Sequence, residues 1–193
     1  MMHPFRSYIH QYVILPEQDW QMIEKLIQRR EIKKNDFLLR EGQICRHLHF
    51  LERGLLRYFR LQDGQEKIKF FTFPPYLCTS QRSLNRQIPS RESIQAIEDS
   101  LLWDIPYSAI KPLRQLASWN QFILQLIREV QYFTEEIYVD MQGQLAENRY
   151  RRFLHESPEM VQRIPLQYLA SFLGIAPQSL SRIRKKILLE QGA

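Results

Sequence analysis

The 193-residue sequence is poor in cysteine and glycine and has no long apolar run. Its two cysteines, Cys45 and Cys78, are too few for a disulfide framework, a four-cysteine zinc site or a cysteine-ligated iron–sulfur cluster. No apolar run approaches the ~20 residues of a membrane-spanning helix, and the first residues lack the apolar stretch of a signal peptide. A composition of 44% hydrophobic and 25% charged residues excludes collagen-like, low-complexity and disordered chains. We therefore expect a soluble, reduced protein of the cytoplasm.

Positive charge is concentrated towards the end of the chain. Residues 1–143 carry 19 basic and 17 acidic side chains, whereas residues 144–193 carry 8 and 4. The excess lies mostly in two basic clusters, which are Arg149, Arg151 and Arg152, and then Arg182, Arg184, Lys185 and Lys186. Such an excess suits a polyanionic partner, and an ordinary solvated helix face is the alternative.

Residues 37–107 have the pattern of an antiparallel β domain, because short apolar runs alternate with turn signals. The pair Asp63-Gly64 stands between two of these runs and is a strong β-hairpin signal, since a primed turn needs positive φ at both central residues. Before this segment, Pro16 and a helical spacing of apolar residues predict an amphipathic helix over 16–30. We expect one β-roll domain over about 1–112.

From residue 113 the pattern becomes helical, and no proline or glycine occurs between Leu113 and Gln142. That length allows roughly 45 Å of helix, which is more than a small β domain needs to cover one face. Apolar residues in this segment recur in alternating steps of three and four and form an apolar seam along the helix. Such a seam predicts a coiled coil between two copies of the chain over about 113–140, although packing on the β domain is the alternative. Its members are Leu116, Trp119, Ile123, Leu126, Val130, Phe133 and Ile137.

Residues 165–187 have the pattern of a helix-turn-helix. Gly174 is placed to end the first helix in a left-handed conformation, and Pro177 opens the second. Small Ala170 lets the helices cross closely. Plain helical packing gives similar pairs of helices, but the basic outer face of the second helix favours DNA binding. The predicted DNA contacts are Gln167, Gln178, Ser179, Ser181, Arg182, Arg184, Lys185 and Lys186.

The sequence resembles the CRP/FNR family of bacterial transcription regulators along nearly its whole length. The motifs that carry the resemblance are Glu41-Gly42, Arg53-Gly54, Asp63-Gly64, Glu98-Asp99-Ser100, Leu169-Ala170, Leu173-Gly174 and Ser179-Leu180-Ser181-Arg182-Ile183. The resemblance implies an α+β fold in which an antiparallel β-roll (double-stranded β-helix) senses a signal, a long helix forms a dimer, and a winged helix-turn-helix at about 141–193 reads a palindromic site. It also implies that Gln178, Ser181 and Arg182 occupy base-reading positions. Pro177 stands where some members of the family have arginine, so the base preference of those members does not apply to this sequence.

Members that bind cyclic AMP hold its ribose and cyclic phosphate with a Gly-Glu pair and an Arg-Ser pair. The corresponding stretch, Phe73–Ser80, has neither glycine nor glutamate, and its two adjacent prolines remove two N–H donors. In Ser90-Arg91-Glu92-Ser93 the arginine is in another register and an acid stands beside it. Because a cyclic phosphate needs N–H donors and little competing negative charge, we expect no cyclic AMP binding. Three cations, Arg82, Arg86 and Arg91, remain candidates for another anion.

A rival hypothesis is a cupin-like metal-dependent enzyme that uses His47 and His49. Strand alternation places both histidines on one face, a geometry that can hold a metal. Their spacing is shorter than in cupins and no third histidine follows in residues 55–110, so an outward-facing pair on a strand is the simpler interpretation. We expect a non-enzymatic homodimer that binds double-stranded DNA and uses no metal or cofactor. RNA polymerase is a candidate partner, and the sequence names no effector.

Overall fold

The computed structural model describes residues 2–143 and 145–191 and divides them between two compact units. The first unit comprises Met1–Tyr58 and Phe71–Phe133, and the second comprises Phe59–Phe70 and Thr134–Ala193. The helices up to the end of the long helix are α1 (Pro4–His10), α2 (Glu17–Glu24), α3 (Gln81–Arg86), α4 (Tyr107–Leu113) and α5 (Ala117–Gly143). None of the helices in the described residues is long and apolar enough to cross a membrane.

Within residues 2–143 and 145–191, eight strands form two four-stranded sheets, and the predicted antiparallel β-roll is confirmed. The strands are β1 (Gln28–Ile32), β2 (Phe37–Leu39), β3 (His47–Arg53), β4 (Leu56–Gln62), β5 (Gln65–Thr72), β6 (Tyr76–Cys78), β7 (Ser93–Ala96) and β8 (Ser100–Pro106). One sheet has the order β1-β8-β3-β6 and the other β2-β7-β4-β5. In the first sheet Asp104 lies opposite both Gln28 and His49.

The hairpin predicted from Asp63-Gly64 connects β4 and β5. Asp63 has φ 52° and Gly64 has φ 73°, the positive values that the primed turn requires. The tip of this hairpin belongs to the second unit.

The helix predicted over 16–30 is wrong in its second half. Helix α2 ends at Glu24, and residues Gln28–Ile32 instead form β1, which pairs with β8. Pairing with a partner distant in sequence outweighs the local helical spacing here. The sequence also gave no sign of α1, whose first turn is capped by the His3 side chain accepting from the Phe5 N–H.

The remaining helices of the second unit are α6 (Ala146–Glu156), α7 (Pro158–Arg163), α8 (Leu166–Leu173) and α9 (Pro177–Gln191). Residues 145–191 contain no strand, so the predicted wing has no counterpart in the part of the chain that the structure describes. Apolar side chains in this stretch recur at steps of three and four, and they close a helical core instead.

Candidate nucleic-acid interface

The turn between α8 and α9 is built around Gly174. Its φ of 71° and ψ of 26° are left-handed, as the sequence predicts for this position. The Gly174 N–H donates to the Ser171 carbonyl at 3.1 Å, and the Ile175 N–H donates to the Ala170 carbonyl at 3.0 Å. These two bonds form a Schellman motif, which satisfies carbonyls at the end of α8 and fixes the direction in which the chain leaves it.

An apolar core sets the position of α9. Side chains from α8 and α9 that are at most 4% exposed form this core, together with Tyr150 of α6; they are Leu169, Ala170, Leu173, Leu180 and Ile187. Ala170 is completely buried, consistent with its predicted role in a close crossing of the two helices. The second helix is therefore held by buried apolar contacts, independently of its charged side chains.

The outer face of α9 presents four exposed polar or basic side chains with helical spacing, which are Gln178, Ser181, Arg182 and Lys185. Ser179 is half-buried at the edge of this face, and Gln167 is exposed on α8. Neither Arg182 nor Lys185 forms an ion pair with any other described residue. Both therefore keep their charges available for an anionic partner.

Two other predicted phosphate contacts, Arg184 and Lys186, are engaged within the unit. The Arg184 guanidinium lies 5.7 Å from the centre of the Tyr150 ring, and its Nε is buried. The Lys186 ammonium donates to both carboxylate oxygens of Glu147, at 2.9 and 3.1 Å. Positions 184 and 186 thus lie beside α6, so the face available without rearrangement is narrower than the sequence suggests.

The first basic cluster also has internal partners. The Arg149 guanidinium donates to the Leu173 carbonyl at 2.7 Å and so satisfies the end of α8. Arg151 donates to Glu147 at 2.6 Å and to Glu190 at 2.7 Å. Hydrogen bonds from Arg151 and then Lys186 lower the pKa of Glu147, which keeps its carboxylate charged.

The predicted dimer seam divides into two parts along α5. Trp119 and Leu126 are 3% and 7% exposed within the first unit, and the Trp119 ring contacts the rings of Phe5 and Phe122. These two positions are filled by the protomer's own core, because α1 covers this part of the helix. Leu116 and Ile123 are half-buried.

The later part of α5 is apolar and exposed. Val130 and Phe133 are 40% and 59% exposed, and the side chain of Ile137 lies outside the described residues. Exposed neighbours extend the surface beyond the predicted seam; they are Leu124, Ile127, Tyr132 and Tyr138. Ile127 and Tyr138 lie next to the predicted seam positions Val130 and Ile137 in the helical pattern, so the sequence does carry a signal for these two.

In the β-roll, the stretches compared with cyclic-AMP-binding residues are bonded to each other. The Ser80 hydroxyl lies 3.1 Å from the Ser90 hydroxyl and donates to the Glu92 carboxylate at 3.0 Å. Ser80 and Ser90 are both buried. A carboxylate is therefore hydrogen-bonded to a buried hydroxyl between these two stretches, where it would repel a cyclic phosphate.

The histidine pair on β3 has a different environment from the one predicted. His49 is 2% exposed, and its Nδ1 lies 2.6 Å from Asp104 Oδ1, so the outward-facing interpretation is wrong for this residue. Burial opposes ionisation of Asp104, but hydrogen bonds from His49 and Arg30 outweigh it and lower the pKa of Asp104. Among the described residues, no group of three or more His, Cys, Asp or Glu side chains is placed to hold a metal ion.

Comparisons with known proteins agree with this architecture. Residues 29–116 match the sequence model of the family described as Cyclic nucleotide-binding domain. The Transcriptional activator protein anr of Pseudomonas aeruginosa is 22% identical over 183 residues, which cover 88% of this chain and 74% of that protein.

Two solved structures share the fold at low sequence identity. FixK2 from Bradyrhizobium japonicum has a TM-score of 0.71 at 16% identity, with 86% of each chain covered. The c-di-GMP-responsive global regulator CLP of Xanthomonas campestris has a TM-score of 0.70 at 15% identity, with 91% of this chain and 93% of that chain covered. Residues 29–116 thus resemble a cyclic nucleotide-binding domain in sequence. The resemblance to the CRP/FNR family is confirmed.

Proposed function

We propose that this chain is a sequence-specific DNA-binding transcription regulator of the CRP/FNR type, and not an enzyme. The observation that carries the proposal is the outer face of α9, where Arg182 and Lys185 are exposed and pair with no acid among the described residues. Arginine pairs with guanine edges and glutamine with adenine edges in the major groove. With Gln178 and Arg182 four residues apart on one face, α9 has the side chains of a recognition helix.

The regulator acts as a homodimer on a palindromic site. The exposed later part of α5 supports this proposal, because aromatic side chains such as Phe133 at 59% exposure are costly to leave in water. A two-fold dimer would place two copies of α9 about 34–36 Å apart, the spacing of successive major grooves. The chain is accordingly divided into a sensor over 1–112, a dimerisation helix over 113–140 and a DNA-binding domain over 141–193.

The sensor does not bind cyclic AMP. The hydrogen bonds among Ser80, Ser90 and Glu92 support this, since they place a charged carboxylate beside the hydroxyls that would have to face the phosphate. A signal that changes the β-roll would act through α5 by resetting the separation of the two recognition helices. RNA polymerase is the protein partner we propose for such a regulator.

The cupin-like enzyme has less support. His49 is 2% exposed, and the described residues bring no group of three or more His, Cys, Asp or Glu side chains together around a metal position. His47 is partly buried, and that burial lowers the pKa of its imidazole. Metal analysis of the purified protein tests this alternative. One transition-metal ion per chain in the wild type, and none in His49→Gln, would favour the cupin-like enzyme over the DNA-binding regulator.

In-vitro selection from random duplex DNA, with no added ligand, tests the proposed function. We expect an enriched palindrome, and an affinity for it that falls steeply with salt because phosphate contacts release counterions. Retention of DNA without any enriched sequence would contradict sequence-specific recognition. An enriched site without two-fold symmetry would contradict the homodimer.

A further inference from the structure

Lys186, on the proposed recognition helix α9, forms an ion pair with Glu147 of α6. Glu147 lies in the first turn of α6, and both of its carboxylate oxygens accept from the Lys186 ammonium on α9. Lys186 also borders the same surface groove as Arg182 and Lys185, so it stands at the edge of the proposed DNA-binding face. Like a phosphate group of the DNA backbone, this carboxylate carries one negative charge and two oxygens that can accept hydrogen bonds from Lys186.

The ion pair is not what holds α9 in place. Leu180 is fully buried and Ile187 is 4% exposed, and these two anchor the helix on either side of Lys186. Glu147 and Lys186 are respectively 25% and 57% exposed at the side chain, and ion pairs this accessible to water contribute little to stability. Removing the carboxylate should therefore leave the fold intact and change the charge that α9 presents.

We propose that Glu147 is an internal counter-ion that competes with DNA phosphate for Lys186 and thereby limits the affinity of the protein for DNA. This inference rests on the proposed DNA-binding function. Arg151 also bonds to Glu147 but keeps a second acceptor, Glu190, so Lys186 is the cation that Glu147 chiefly controls. While Lys186 is paired with Glu147 it makes no phosphate contact, so the ion pair withholds one contact per subunit from the DNA.

The test is Glu147→Gln, which keeps the size of the side chain and removes its charge. Wild type and variant are compared by fluorescence anisotropy on the palindrome selected with the wild type, at several salt concentrations. Each additional phosphate contact steepens the slope of log affinity against log salt by about 0.9, so the two copies of Lys186 in a dimer steepen it by about 1.8. If the two proteins bind equally at 1 M salt, this corresponds to roughly sixtyfold tighter binding of the variant at 0.1 M salt. Thermal unfolding checks that the variant is folded.

Two further variants make the test specific. Glu159→Gln is the matched control, since Glu159 is an exposed acid in the first turn of α7 and its loss changes the net charge equally. We expect Glu159→Gln to leave the salt slope unchanged. In a Lys186→Gln background, Glu147→Gln should no longer tighten binding.

Each outcome decides one claim. If Glu147→Gln binds no tighter than the wild type, or tightens binding equally without Lys186, the counter-ion role is overturned and the DNA-binding function stands. If the wild type itself selects no sequence and binds no duplex, the proposed function has failed and the inference falls with it.

Discussion

Replacement of Gly174 by alanine tests whether the left-handed turn limits the stability of the helix-turn-helix. A Cβ built at Gly174 meets no heavy atom within 4 Å, so the substitution adds no steric clash. The φ of 71° remains, and holding an alanine there costs about 1–2 kcal/mol. Alanine also loses less entropy on folding, which returns about 0.4–1 kcal/mol. We therefore expect Gly174→Ala to destabilise this unit by about 1 kcal/mol.

Hydrogen exchange of amides in α8 and α9 is the suitable assay, because a chain with two compact units need not unfold in one step. A loss of about 1 kcal/mol should speed the slowest exchange in these helices about fivefold. Gly174→Asn is the control, because asparagine tolerates the left-handed conformation better than alanine. Unchanged exchange in Gly174→Ala, or equal acceleration in both variants, would refute the reasoning.

Three more predictions concern the β-roll and α5. Gly54→Ala should lower the free energy of unfolding by about 2–5 kcal/mol. The new Cβ would overlap the Ser100 hydroxyl and lie 2.7 Å from the Ser100 Cα, and residue 54 has a φ of 116°, which alanine rarely adopts. An unchanged melting temperature would contradict this prediction. Phe133→Asp should convert the dimer to a monomer in sedimentation experiments, whereas Phe133→Leu should not; a stable Phe133→Asp dimer would place the interface elsewhere. The pKa of Asp104 is lower in the folded protein than in the unfolded chain, so its stabilising contribution is present above about pH 4 and is lost as the pH falls through the folded value. In Asp104→Asn the free energy of unfolding should depend less on pH below about pH 4. An unchanged dependence in this range would show that the pair of Asp104 and His49 does not cause it.

Local signals account for the features that the sequence predicted well. Asp63-Gly64 and Gly174 adopt positive φ as expected, because few residues other than glycine, asparagine and aspartate accept that conformation. Alternation of apolar runs with turns likewise predicted the β-roll. For the two turns, the determining interaction lies within a few residues along the chain.

Features set by distant partners were not predictable in the same way. Strand β1 forms because Gln28–Ile32 meets β8, more than 60 residues later, and the local helical spacing gives no sign of it. Trp119 belongs to an apolar seam by spacing, but α1 supplies Phe5 to cover it. Lys186 belongs to a basic cluster by sequence, and only the fold brings Glu147 beside it.

Selection repeated with Arg182→Ala tests most directly the central claim that α9 reads DNA sequence. Arg182 is exposed on the outer face of α9 and has no internal ion pair among the described residues. If it contacts a base edge, the variant should recover the wild-type palindrome with one position per half-site relaxed, at a cost of about 1–3 kcal/mol in affinity for the original sequence. An unchanged preference at every position, with uniformly weaker binding, would contradict base reading by Arg182.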